Sequence, residues 1–271
     1  MSQRIANTFA KCNQENRAAS IAYLAAGDPN FTSSLESCRA LLEAGVDIIE
    51  LGVPFSDPLA DGPTNQLAAE RALASGMTPR KVFDLVAEIR KFSEAPIILY
   101  TYYNLVFSIG EEDYARLARE SQVDGLLILD LPPEESAGMR KACAENDLAL
   151  IHLLAPTSGK DRIKKIAESA SGFIYYVSRE GITGVRSDLP ADLESAVNLI
   201  REYTELPIAV GFGISSPEQV KSVAKVADGV VVGSALVNIV ADRADQPESV
   251  PPALKEKAAS LFDLNNLKRS S

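Results

Sequence analysis

Eight short apolar runs recur along the chain, at residues 20–25 (SIAYLA), 47–52 (DIIELG), 96–101 (PIILYT), 125–130 (GLLILD), 148–154 (LALIHLL), 172–178 (GFIYYVS), 207–212 (PIAVGF) and 229–233 (GVVVG). Their apolar positions are continuous rather than alternating with polar ones. That pattern belongs to parallel strands covered on both faces. Between the runs lie segments such as SSLESCRALLEAG, EEDYARLARES, EESAGMRKACAEN, DRIKKIAES and SPEQVKSVAKV, whose apolar residues fall at helical spacing. Several open with Ser or Asp, the residues that cap helix N-termini.

Eight strand–helix units predict an α/β chain folded as a single (β/α)8 TIM barrel over residues 1–271, with an extra N-terminal helix and additional helices. An open doubly wound sheet is the alternative. Eight regular units without a composition shift close more naturally into a ring. The gap after the second run is long: a turn-rich loop, then helical sequence from about Asn65 to Phe92. The tail, residues 242–262, reads as a linker and a final helix.

Composition narrows the function. The 271 residues carry a net charge of −10. An acidic surface argues against nucleic acid or anionic lipid as a partner. It also means that local groups must hold any anionic substrate. The three cysteines, Cys12, Cys38 and Cys143, lie far apart, and there is one histidine, His152. No metal-ligand spacing appears, and a reducing compartment is expected. The opening residues lack the apolar core of a signal peptide, and no run is long enough to span a bilayer. The expectation is a soluble, cytoplasmic protein with no membrane partner.

In barrel enzymes the site lies at the C-terminal ends of the strands. Strand parity puts Ile48, Glu50 and Gly52 on one face. If that face looks into the barrel, Glu50 is a carboxylate at the mouth of an apolar lumen, with a raised pKa suited to proton transfer. The other reading is a structural Glu bonded to backbone amides or a lysine. Asp61, on the following loop, is either a second acid across the mouth or a turn residue in the Asp-Gly dipeptide. Asp57 has the same two readings. After the seventh and eighth runs stand Gly211-Phe212-Gly213 and Gly233-Ser234. Barrels often bind phosphate there, through backbone N–H groups and a helix N-terminus. The segment SREGITGVRSDLP, with Arg179, Thr183 and Gly184, reads as a lid. His152 reads as a packed strand residue and the cysteines as helix packing.

The blocks ELGVPFSDPLADGP, NLVF, DLPPEES, SREGITG and GFGISSPEQV, in this order and spacing, resemble the tryptophan synthase alpha subunit family over nearly the whole chain. The resemblance implies a lyase of tryptophan biosynthesis. It cleaves indole-3-glycerol phosphate to indole and glyceraldehyde 3-phosphate. It also implies an alpha2beta2 assembly with a beta subunit, which receives the indole and joins it to serine with pyridoxal phosphate. The alpha chain carries no cofactor and no metal. By the same matching, Glu50 is the acid/base residue, Asp61 holds the indole N–H, and Tyr175 lies near the glycerol chain. Phosphate falls to the backbone of Gly184, Gly213, Gly233 and Ser234. Tyr23, Tyr100, Tyr102 and Phe212 wall the indole, and Thr183 meets the Asp61 loop. Asp57, Asn104, Phe107, Asp130 and Pro132 fall on segments that face the beta subunit. Three positions depart from the family's usual residues. Asn65 replaces a branched apolar residue, Tyr23 a phenylalanine, and Tyr100 an aliphatic residue. A stand-alone lyase, a sugar-phosphate isomerase and a weakly catalytic regulatory subunit are the rival readings.

Overall fold

The computed structural model describes residues 3–177, 191–211 and 213–269. Eight parallel strands close into a barrel in chain order. They are β1 (Ala19–Ala25), β2 (Ile48–Gly52), β3 (Ile97–Thr101), β4 (Gly125–Ile128), β5 (Ala149–Leu154), β6 (Ile174–Val177), β7 (Ile208–Gly211) and β8 (Gly229–Val232). The last strand pairs back onto the first, Ala19 opposite Gly229 and Ile21 opposite Val231. Each strand coincides with a predicted apolar run and differs from it by a residue or two at an end.

The helices differ more. The stretch expected as helix from Asn65 to Phe92 is two helices, Pro63–Ala74 and Pro79–Arg90. Gly76, at φ 83°, turns the chain between them. Thr78 then caps the second helix by accepting from the Lys81 N–H. The NLVF block lies in a seven-residue helix, Tyr103–Ile109, too short for its periodicity to show in the sequence. The tail adds a turn of helix, Leu264–Leu267, after Val250–Leu261. Ser216 is a cap as expected, with the reciprocal bond from Gln219. Ser33 and Asp161 lie inside their helices, where Asn30 and Gly159 are the N-caps.

Strand parity sorts the core into two layers. Ala22, Leu24, Ile49, Leu51, Leu99 and Leu126 pack outward against the helices. Ile21, Ile48, Ile98, Leu127, Ile151, Phe173 and Val231 fill the barrel. The N-terminal helix, Gln3–Gln14, turns Ile5, Phe9 and Cys12 onto this inner set and plugs the floor. The Phe9 and Phe173 rings lie 5.6 Å apart. All three cysteines are free and buried in helices. His152 shares its outward face with Leu150 and Leu154. Burial, helped by Arg162 and Arg140, lowers its pKa to about 4, so it is a neutral packed residue near neutrality.

A repeated device holds the floor. Asp47, Asp124 and Asp228 each stand just before or at the turn into β2, β4 and β8. Each accepts the N–H of a residue near the start of the preceding strand: Ser20 at 2.8 Å, Ile97 at 2.9 Å and Ile208 at 2.9 Å. Parallel strands leave such donors without a ladder partner at their ends. Every one of these acids also meets an arginine: Arg17 with Asp47, Arg90 with Asp124, and Arg201 and Arg269 with Asp228. The Arg90–Asp124 pair is buried on both sides, at 2.5 Å. Asp124→Ala should therefore destabilise the fold by about 3–5 kcal/mol, because it strands a buried guanidinium and a buried amide. Urea unfolding checks this, and a loss below about 1 kcal/mol would make the pair dispensable.

Candidate functional site

At the C-terminal mouth of the barrel is a cavity of about 640 Å³. Its walls come from β1 (Tyr23), β2 (Glu50), β3 (Tyr100), β6 (Tyr175) and β8 (Val231), with the 60–65 segment and Gly213, Gly233 and Ser234 at the rim. Among the described residues its two ionisable carboxyl groups are Glu50 and Asp61, and no lysine or arginine lines it.

Glu50 is on the inward face of β2, in register with Tyr23 and Ile98. It is 1% exposed. Its Oε1 is buried with no hydrogen-bond partner among the described residues. Burial, and then the charge of Asp61, push its pKa up to about 8. The reading of Glu50 as a structural acid tied to amides or a lysine finds no such bond among the described residues. A carboxyl group in this state is protonated at neutral pH and can both give and take a proton.

Asp61 closes the loop after β2. Its N–H bonds to the Pro58 carbonyl at 3.0 Å, and Gly62 and Pro63 then start the next helix. It is thus a turn residue by its backbone, while its side chain lines the cavity. Its carboxylate accepts the Tyr100 hydroxyl on Oδ1 and the Tyr102 hydroxyl on Oδ2, each at 2.8 Å. The Asn65 amide also donates to Oδ1, at 3.4 Å. Tyr102 in turn accepts the Ala60 N–H at 3.1 Å.

Tyr23, Tyr100 and Tyr175 line the cavity, as does the rim of Gly213, Gly233 and Ser234. Tyr102 stands behind Asp61 rather than on the cavity wall, and is buried. Burial raises the phenol pKa of Tyr23, Tyr100 and Tyr175, with charges of Asp61 or Glu50 adding to it, so all three stay neutral. Thr183, Gly184, Arg179 and Phe212 fall outside the described residues.

Two glycines make room for tyrosines. A Cβ at Gly52 would collide with the Tyr23 hydroxyl, and one at Gly211 with that of Tyr175. Neither role was read from the sequence, although Gly52 was placed on the Glu50 face. The bonds from Tyr100 and Tyr102 to Asp61 were also missed. Their signal was the Tyr-Thr-Tyr spacing at the end of β3, which sets both phenols on one side of the strand.

At the rim, Gly213 has φ 69° and open space where a Cβ would stand. Ser234 opens the Ser234–Ala241 helix, whose N-cap, Gly233, brings no side-chain cap. Asp130 accepts the Tyr103 N–H at 2.6 Å and so anchors the short helix after β3. Phe107 on that helix and Leu59 on the Asp61 loop are 71% and 83% exposed.

The family model described as tryptophan synthase alpha chain matches residues 9–266. The tryptophan synthase alpha chain of Opitutus terrae is 58% identical over 258 residues, covering 95% of this chain and 97% of that protein. A solved alpha chain from Legionella pneumophila superposes with a TM-score of 0.88 at 34% identity, covering 98% of each chain. A chain from the tryptophan synthase a2b2 complex of Pyrococcus furiosus gives 0.85 at 39% identity, covering 91% of this chain and 98% of that one. The chain therefore belongs to the tryptophan synthase alpha chain family, lyases that cleave indole-3-glycerol phosphate in tryptophan biosynthesis.

Proposed function

We propose that this chain carries out the cleavage with Glu50 as the single acid/base group and Asp61 as the counter-charge to the indole nitrogen. The observation that carries this reading is the Glu50 carboxyl group, buried in the cavity with one oxygen unpartnered and its proton retained to about pH 8. Glu50 donates its proton to indole C3. Positive charge then develops on the ring nitrogen, whose N–H is held by Asp61. The Glu50 carboxylate next takes the proton of the hydroxyl on the carbon attached to C3. That carbon becomes the aldehyde of glyceraldehyde 3-phosphate, the carbon–carbon bond breaks, and its electrons restore the aromatic indole. One proton leaves Glu50 and one returns, so the group ends as it began. Tyr175, a neutral phenol in the same cavity, is placed to steady the glycerol chain.

The phosphate goes to the rim, where Gly213, Gly233 and Ser234 can offer backbone N–H groups at a helix N-terminus. The steps use no cofactor on this chain. Pyridoxal phosphate belongs with a beta subunit, which we place on the mouth face that exposes Leu59 and Phe107. The buried free cysteines suit a reducing cytoplasm.

Four outcomes test this reading. Glu50→Gln should lower cleavage of indole-3-glycerol phosphate by about 10²–10⁴-fold, the usual worth of general acid–base catalysis. The same group links stability to pH. Its folded pKa, about 8, lies above the ordinary 4.5, so its contribution is full below 4.5 and is lost as pH rises to about 8. Chemical unfolding across that window should show a slope in the wild type that Glu50→Gln lacks. A variant with more than half of the wild-type activity would remove Glu50 from the mechanism.

The reaction starts from protonated Glu50, so kcat/KM should fall as pH rises through about 8. Asp61→Asn deletes the nearby negative charge and should move that limb to lower pH while lowering the rate. An unmoved limb would mean that the two acids are not coupled.

Gly213→Val should weaken glycerol-phosphate binding far more than indole binding, since the side chain would enter the rim from a left-handed backbone position. Calorimetry with each ligand decides this, and equal losses would place the phosphate elsewhere.

A tryptophan synthase beta subunit titrated into the cleavage assay should raise the rate, by favouring the closed form of the mouth. A flat rate with no binding would favour the stand-alone lyase.

A further inference from the structure

We infer that Tyr100 is a positioning residue for the cleavage proposed above, its phenol acting with the Asn65 amide to fix the rotation of the Asp61 carboxylate. A carboxylate turns easily about its last torsion, which has broad, roughly two-fold wells. Here two phenols from the same face of β3 hold its two oxygens separately: Tyr100 bonds Oδ1 and Tyr102 bonds Oδ2. Asn65, in the first turn of the helix that follows the loop, also donates to Oδ1, at 3.4 Å. Each carboxylate oxygen has two acceptor positions, so a site remains for the indole N–H.

The Tyr100 ring is itself held. It meets Tyr23 edge-on, centroids 5.1 Å apart at 67°, and Tyr23 has its hydroxyl over Gly52. A line of packed groups thus runs from the barrel wall to the acid: Gly52, Tyr23, Tyr100, Asp61. Tyr23 and Tyr100 in this line, and Asn65 beside it on Asp61, stand where the family resemblance leads one to expect other residues. The departures meet at one carboxylate. Together they make an acid whose orientation is preset by the barrel itself, before any ligand arrives.

A double-mutant cycle tests this. Tyr100→Phe keeps the ring against Tyr23 and removes only the hydroxyl. It should lower kcat about tenfold, in line with the loss of a hydrogen bond to a charged group, while KM changes less than about threefold. In the Asp61→Asn background the same change should cost nothing further, because a positioning residue acts only through the group it holds. Equal losses in both backgrounds, or an unchanged kcat in Tyr100→Phe, would overturn the inference. A wild-type chain that does not cleave the substrate would instead refute the reading of the reaction. In that case amide hydrogen exchange still reads the clamp: the amides of residues 59–62 should exchange faster in Tyr100→Phe at equal melting temperature, and unchanged exchange would overturn it.

Discussion

A carboxyl group placed inside an apolar barrel, with one oxygen that meets no hydrogen-bond partner among the described residues, is the constraint around which this molecule is arranged. At neutral pH the fold keeps Glu50 protonated against its intrinsic tendency to ionise, with a raised pKa of about 8. That state survives only if the surroundings cannot relax to solvate it. The closed ring of strands supplies the rigidity, and the floor supplies the stability. Asp47, Asp124 and Asp228 satisfy strand-end amides there and meet arginines, while the N-terminal helix plugs the lumen with Ile5, Phe9 and Cys12. The acids at the floor are matched by cations, whereas the two that line the cavity, Glu50 and Asp61, have no ion pair among the described residues.

The unmatched acids suit a phosphorylated aromatic substrate in a chain of net charge −10. A lysine or arginine beside Glu50 would favour its ionised form and forfeit the proton that the proposed mechanism has it donate. In the proposed reading, backbone amides at Gly213, Gly233 and Ser234 meet the anion with dipoles instead of a full charge, at the rim of the cavity. Such a pocket would keep its acids tuned and still offer a phosphate a place to bind.

Much of this was legible in the sequence because it depends on periodicity. Continuous apolar runs marked all eight strands, and parity put Glu50 on one face with Ile48 and Gly52, the face that the barrel turns inward. The family's motif blocks then singled out Asp61 and Tyr175. What was not legible depends on the third dimension. Tyr100 and Tyr102 read as aromatic walls, since nothing in a linear pattern says that a loop forty residues earlier folds its acid onto their hydroxyls. The pairing of Asp124 with Arg90, thirty-four residues apart, has no signature in the linear pattern. The Tyr103–Ile109 helix is too short to show a period, and the break at Gly76 hides within one long helical stretch. Asn65 stood out as a departure, but only the structure shows what its amide touches.

The hollow that Gly52 leaves for Tyr23 has a consequence for how this chain can change over time. A methyl group at position 52 would occupy the space of the tyrosine's hydroxyl, and a smaller ring at position 23 would withdraw support from Tyr100. Gly211 and Tyr175 stand in the same relation across the barrel. The constraint runs one way: the tyrosine can lose its hydroxyl above an unchanged glycine, but the glycine cannot gain a side chain while the hydroxyl stands. The mouth of the barrel should therefore evolve in ordered steps, ring first and glycine after, while the helices outside it vary one residue at a time.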